Sequence, residues 1–253
     1  MQSRLLAACL AVATAASGAC DAERSAPAGS GTQHPILLFD GAGTSPHDVA
    51  AVETLLAREH LAYSTVSSDG LNAMSVSRLR SYRLLIVPGG DFVAMGDGLT
   101  PSTLTHVRDA VRGGLGYLGI CAGAFLAGHF PAPYHGVDLT SGIQFHFYSA
   151  EARGLRKTAV RVTTPVGAAL DQYWEDGPQL SGWGDAVGRF PDGTPAIVQG
   201  TSGRGWVVLS GVHPEAPATW REGLVFGTPA DVDNAYAITL IRAALDRVPL
   251  PTF

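Results

Sequence analysis

The sequence predicts an α/β protein with a flavodoxin-like, doubly wound, mostly parallel sheet and an antiparallel β extension in its second half. Three observations predict it. In the first half, short apolar runs ending at Phe39, Val66, Val87 and Ile120 alternate with stretches of helical spacing, which is the pattern of a parallel sheet covered on both faces. The runs ending at Phe39, Val87 and Ile120 lead into loops bearing glycine or cysteine. In such sheets, ligands gather at the C-terminal ends of the strands. From about residue 143 onward the pattern becomes period-two alternation broken by Asp-Gly and Ser-Gly turns, as in antiparallel strands.

Taken in order, His34 to Phe39 reads as a first buried strand that empties into the loop Asp40 to Asp48. Ser45 followed by Pro46, with Asp48 as a first-turn acid, starts a helix. Val52, Leu55 and Leu56 lie on one face of that helix, which is predicted over Val49 to His60. Leu61 to Val66 is a second strand. Val76 to Tyr82 is helical, and Leu84 to Val87 is a third strand running into Pro88-Gly-Gly-Asp91. Thr100 or Ser102 opens another helix with Leu104, Val107 and Val111 on one face. Leu115 to Ile120 is the fourth strand. In the second half, Ile143 to Tyr148, Thr158 to Thr163, Ala186 to Phe190, Ala196 to Gln199 and Trp206 to Ser210 read as strands. Asp171 to Pro178 reads as an aromatic, polar turn, and Asp231 to Arg247 as a closing amphipathic helix.

The chain has 253 residues, a net charge of −5 and few charged side chains. That composition supports a substantial core and argues against global disorder. With no basic stripe to neutralise phosphates, nucleic acid is not an expected partner. Residues 1–19 have the layout of a secretory signal peptide: Arg4, an apolar run from Leu5 to Ala16, then the small residues Ser17-Gly-Ala19. Cys20 follows that site directly, so a lipid anchor on Cys20 is expected, with Ser17 departing from the usual leucine. Residues 20–33 read as a flexible tether and 34–253 as the folded domain. The expected location is exported, periplasmic or lipid-anchored in a bacterial envelope, with membrane contact only through Cys20. Cys121 is the only cysteine within 34–253, so no disulfide forms inside that domain.

The chemistry centres on Gly119-Ile-Cys-Ala-Gly123, a cysteine between an apolar strand and a small-residue helix. This is the strand–turn–helix pattern of a nucleophile elbow, where flanking side chains would collide with the neighbouring strand and helix. The helix N-terminus facing the sulfur favours thiolate. Far downstream, Gly211-Val-His213-Pro-Glu215 ends a strand. Taken singly, each residue has an ordinary use: a lone cysteine is often a buried hydrophobe, and His213 and Glu215 fit a surface turn. Jointly they read as a triad, with Cys121 as nucleophile, His213 taking its proton and Glu215 orienting the ring. Asp40 and Trp174 are further candidates for the substrate pocket. Eight histidines are present, but none pairs at zinc-helix spacing and there is no Cys-x-x-Cys, so neither metal nor cofactor is expected. His146, among aromatics, reads as structural.

The elbow together with the late His-Pro-Glu resembles the class I glutamine amidotransferase superfamily. Within it the chain is most similar to the biotin-protein ligase N-terminal domain-like group. The matching residues are Phe39-Asp-Gly-Ala-Gly-Thr-Ser-Pro46, Pro88-Gly-Gly90, Gly119-Ile-Cys-Ala-Gly-Ala-Phe125, Tyr173-Trp-Glu-Asp-Gly-Pro178 and His213-Pro-Glu215. The resemblance implies that the N–H groups of Gly90 and Ala122 form an oxyanion hole, with Gly89 beside the substrate. It does not imply biotin ligation, because the chain lacks a Gly-rich adenylate-binding segment. Nor does it imply glutamine specificity, because the helix after the elbow starts Cys-Ala-Gly-Ala. The expected activity is that of an exported cysteine hydrolase or amidase acting on a C–N or other acyl bond of a small-molecule or peptide amide. The alternative is a non-catalytic lipoprotein holding a small ligand in the same pocket.

Overall fold

The computed structural model describes residues 35–148 and 156–253. The leader, the tether and Cys20 lie outside them.

A nine-stranded sheet runs through these residues in the order β2-β1-β3-β4-β11-β10-β9-β6-β7. Its parallel half comprises β1 (Ile36–Phe39), β2 (Tyr63–Val66), β3 (Leu84–Val87), β4 (Gly116–Ile120) and β11 (Gly205–Ser210). Strands β1 and β3 are apolar along their whole length and buried throughout, as strands sandwiched between two helix layers must be. Helix α1 (Pro46–Arg58) is capped by Ser45, whose side chain accepts from the Asp48 N–H. Two short helices, α2 (Ser68–Asn72) and α3 (Val76–Leu79), follow β2. Then come α4 (Phe92–Asp97), α5 (Pro101–Arg112) and α6 (Ala122–Ala127). Helix α7 (Ala230–Asp246) lays Ile238, Ile241 and Leu245 on the face opposite that covered by α5 and α6. Two apolar layers therefore enclose the sheet.

The antiparallel extension holds β10 (Pro195–Ser202), β9 (Asp185–Arg189), β6 (Lys157–Thr163) and β7 (Ala169–Glu175). Three expectations are corrected here. The stretch 171–178 is not all turn. Residues up to Glu175 belong to β7, which pairs with β6 in unbroken register, so its Tyr-Trp pair serves a pleated surface rather than a loop. The stretch 143–148 is strand only at β5 (His146–Phe147), which pairs with β8 (Pro178–Gln179) in a separate two-stranded sheet. The buried Phe145 and Tyr148 are outside that strand, so alternation there marks packing without a ladder. His146 is exposed, contrary to its structural reading. Helices α2 and α4 were too short to show a helical period. Their starts are nevertheless capped, by Ser67 and by Asp91, which accepts from Val93 N and Ala94 N.

Sheet order decides what meets. Strands β1, β3, β4 and β11 lie side by side and run in one direction, so their C-terminal loops share one edge. The loops are stitched together by Ser45 N–H to Gly89 O at 3.0 Å, Asp91 N–H to Gly43 O at 2.8 Å and Cys121 N–H to Ser210 O at 2.7 Å. The extension then curls back onto that edge: the His213 N–H donates to Tyr173 O at 2.8 Å. Gly177 and Gly211 make this approach practicable. A Cβ on Gly177 would lie 2.0 Å from Gly211 O, and one on Gly211 would lie 2.0 Å from Pro178 O.

Candidate active site

Cys121 is the hinge between β4 and α6, with φ 49° and ψ −105°. A non-glycine residue in this region is strained, and such strain persists only where neighbours fix it. Here the flanking glycines allow it. A Cβ at Gly119 would lie 2.5 Å from Gly123 O, and one at Gly123 would lie 2.0 Å from Val87 O. The elbow thus packs backbone to backbone on itself and on β3. Cys121 is a free thiol, 6 % exposed, and its Sγ lies 3.6 Å from Glu175 O.

His213 leaves the neighbouring strand β11 and is buried. Its Nδ1 is 2.8 Å from Glu215 Oε1. Tyr173 and Trp220 wall the ring, with centroids 5.8 Å away in each case. Since Nδ1 is engaged by carboxylate, Nε2 is the nitrogen left for Cys121, which lines the same cleft. Burial alone would pull the imidazolium down. The charges of Cys121 and Glu215 and the close Asp48 carboxylate outweigh it, so His213 stays protonated well above its ordinary range. Burial pushes the Glu215 carboxyl up against the pull of the imidazolium, and the charge of Asp48 adds to the push.

The structure therefore brings Cys121, His213 and Glu215 together. Gly89 and Gly90 lie at the same place: a Cβ on Gly89 would touch His213 Cε1 at 2.7 Å, and Gly90, at φ 142°, lines the cleft beside Cys121. Among the described residues, no acceptor is found for the N–H of Gly90 or for that of Ala122, the first residue of α6. Two candidates are corrected. Trp174 is 0 % exposed, with its Nε1 donating to Gly177 O at 3.1 Å. On the pleat of β7 it points into the core, while its neighbours Tyr173 and Glu175 face the cleft. Asp40 is exposed at the end of β1 and is not among the residues that line the cleft.

The cleft beside the sulfur has a volume of ≈ 250 Å³ and opens into a broader polar hollow lined by His47, Lys157, Glu175 and Glu222. The Tyr173 hydroxyl donates to Glu175 Oε2 at 2.6 Å and fixes that carboxylate at the mouth. A residue the sequence did not single out for the site is also present. Asp48, in the first turn of α1, puts Oδ1 3.2 Å from His213 Nδ1. The signal was the Ser45-Pro-His-Asp48 stretch at the end of β1, where a helix-capping acid and a site acid look alike. Asp48, His213 and Glu215 form the one group among the described residues whose donor atoms could gather on a metal ion. The two Nδ1 contacts have the lengths of a hydrogen bond, to Glu215 at 2.8 Å, and a close ion pair, to Asp48 at 3.2 Å.

Residues 34–170 match the family model described as "Biotin-protein ligase, N terminal". No curated protein matches the chain. Among solved structures, it is similar to an exo-β-1,4-mannosidase, Op5Man5, from Opitutaceae bacterium strain TAV5 (14 % identity, TM-score 0.54, covering 82 % of this chain and 36 % of that one). It is also similar to a GMP synthase-type protein from Thermoplasma acidophilum (13 %, TM-score 0.50, 83 % and 98 %) and to the protein SMU.1228c (13 %, TM-score 0.52, 84 % and 98 %). This chain spans about a third of the mannosidase, so that likeness concerns one part of a larger protein. Together the matches establish a class I glutamine amidotransferase-like fold.

Proposed function

Because the chain belongs to the biotin-protein ligase N-terminal family, with its class I glutamine amidotransferase-like fold, we propose that it is a cysteine-dependent hydrolase of a C–N or other acyl bond. The observation that carries this reading is a buried imidazole bonded to Glu215 at 2.8 Å and facing the same cleft as the strained Cys121. In the proposed reaction the Cys121 sulfur attacks the substrate carbonyl and a C–S bond forms. The carbonyl oxygen takes up negative charge and accepts from the N–H groups of Gly90 and Ala122. The C–N bond breaks as the His213 imidazolium gives its proton to the leaving amine. Water then attacks the thioester, giving its proton to His213; the C–S bond breaks, and the carboxylic acid departs as the thiolate–imidazolium pair is restored. Glu215 keeps Nδ1–H in place throughout.

The reading includes export, which rests on the leader-like residues 1–19, and a lipid anchor on Cys20. The substrate is an amide or related acyl compound small enough to reach a sulfur that is almost fully buried.

The test is alkylation of Cys121 by iodoacetamide as a function of pH, read from the mass of its peptide, with His213→Ala beside the wild type. At about pH 6 the wild type is expected to react about tenfold faster than the variant, because the proposed pairing of the sulfur with His213 is what makes it nucleophilic. Equal rates in the two proteins would sink the reading and leave a ligand pocket without turnover.

A further inference from the structure

We infer that Asp48 is a positioning residue of this site: it is a second carboxylate on His213, adding its charge where Glu215 holds the proton. The inference rests on the catalytic reading above for its purpose, and on geometry for its substance. His213 Nδ1 carries one proton and faces two carboxylate oxygens, Glu215 Oε1 at 2.8 Å and Asp48 Oδ1 at 3.2 Å. Only the Glu215 contact has hydrogen-bond geometry. The shorter contact takes the hydrogen, and Asp48 Oδ1 finds no hydrogen-bond partner of its own among the described residues. It is left with the charge of the ring.

An acid in the first turn of a helix ordinarily serves the helix dipole from the surface. Asp48 is instead buried, beneath the β3 loop. A Cβ on Gly89 would lie 2.1 Å from Asp48 Oδ1 as well as 2.7 Å from the His213 ring. The β3 loop is therefore bare of side chain at the point where the carboxylate and the imidazole meet. The Asp48 backbone N–H donates to Ser45 Oγ at 3.4 Å, which fixes the start of the helix that carries the carboxylate. Burial pushes the Asp48 carboxyl up, but the charge of His213 prevails and holds it below its ordinary value. The groups facing His213 are Cys121 from the elbow, Asp48 from α1, Glu215 from its own loop, and Tyr173 from β7, whose hydroxyl is bonded to Glu175. His47 lies beside Asp48.

The ring itself is the place to test this. His213 in the full-length chain, labelled with nitrogen-15 histidine and assigned by its loss in His213→Gln, is titrated by NMR from about pH 5 to about pH 10. In Asp48→Asn the midpoint of ring deprotonation is expected about one pH unit or more below that of the wild type, the scale of losing a charge within hydrogen-bond reach. Leu56→Val, which loosens the packing of α1 without altering charge, leaves the midpoint in place. If Asp48→Asn does not fold, Asp48→Ser, which is smaller and neutral, carries the same expectation. A midpoint unmoved in either folded variant overturns the inference. The outcome is separable from the catalytic reading. A shifted midpoint with alkylation indifferent to His213 keeps Asp48 on the ring and removes the hydrolase. An unmoved midpoint beside His213-dependent alkylation does the reverse.

Discussion

Gly123→Ala adds one methyl group where the elbow rests on β3. The new Cβ would lie 2.0 Å from Val87 O, 2.7 Å from Val87 C and 3.0 Å from Val87 Cβ. All three belong to a buried strand, and the first two are backbone atoms. Normal contact is roughly 3.5 Å, so α6 and β3 must part by more than an ångström. The bond from Gly123 N–H to Pro88 O, at 3.2 Å, strains with them. Helix propensity alone would favour alanine by about 1 kcal/mol. Overpacking costs about 1–3 kcal/mol and sometimes more, and here the obstacle is main chain that cannot rotate away. A net loss of about 2 kcal/mol is expected, which for a domain of this size is a fall of about 4–8 °C in Tm. Function should suffer more than stability, since the displaced element carries Cys121 and the displaced strand end carries Gly89 and Gly90. A misplacement of about 1 Å can cost about a hundredfold in rate, and Cys121 alkylation at about pH 6 should fall on that scale. The assay pairs thermal unfolding with alkylation, and Gly70→Ala serves as control, because its Cβ would meet only the Val66 methyl at 3.0 Å and the Ser67 hydroxyl at 3.5 Å. A Gly123→Ala protein that melts and alkylates like the wild type would refute the steric account of the elbow.

Two further outcomes follow from buried charge. Arg221 and Asp233 are ion-paired inside the fold, and burial pushes the Asp233 carboxyl up to about 6 even with the guanidinium opposing it. Arg221→Met should therefore cost about 3–5 kcal/mol near pH 8 and less near pH 5, where Asp233 takes a proton; denaturant unfolding at both pH values checks this, and a loss independent of pH would contradict it. The raised folded-state pKa of His213 has a definite sign in stability. Its contribution is fully present below the unfolded value of about 6.5 and is lost as pH rises through the folded value. The wild type should thus lose stability on the alkaline side of neutrality, and His213→Gln should lack that component; parallel profiles in the two proteins would count against the charged ring.

The apolar runs of β1, β3 and β4 were legible because a strand buried on both faces leaves a run that needs no partner to be recognised. The elbow was legible because its glycines answer local sterics. His213 and Glu215 were legible as a pair because they leave the same strand end two residues apart. Asp171 to Glu175 was misread because polar and aromatic residues suit a turn and a pleated edge equally well. Pairing with β6 decided between them.

By itself, then, the sequence determined the alternation of strands and helices, the sharp turn at Cys121 and the presence of a His-Pro-Glu strand end. These are matters of backbone period and near-neighbour sterics, written in adjacent residues. Only the tertiary structure decided that β4 and β11 are neighbours, which sets the sulfur beside the imidazole. It likewise decided that the curled extension returns Tyr173 to His213, that Trp174 faces the core while Asp40 faces water, and that Asp48 reaches the ring. Which way a side chain faces, and which charge it meets there, depends on sheet order and curvature. Those are fixed by contacts between residues far apart in the chain, and no local pattern encodes them.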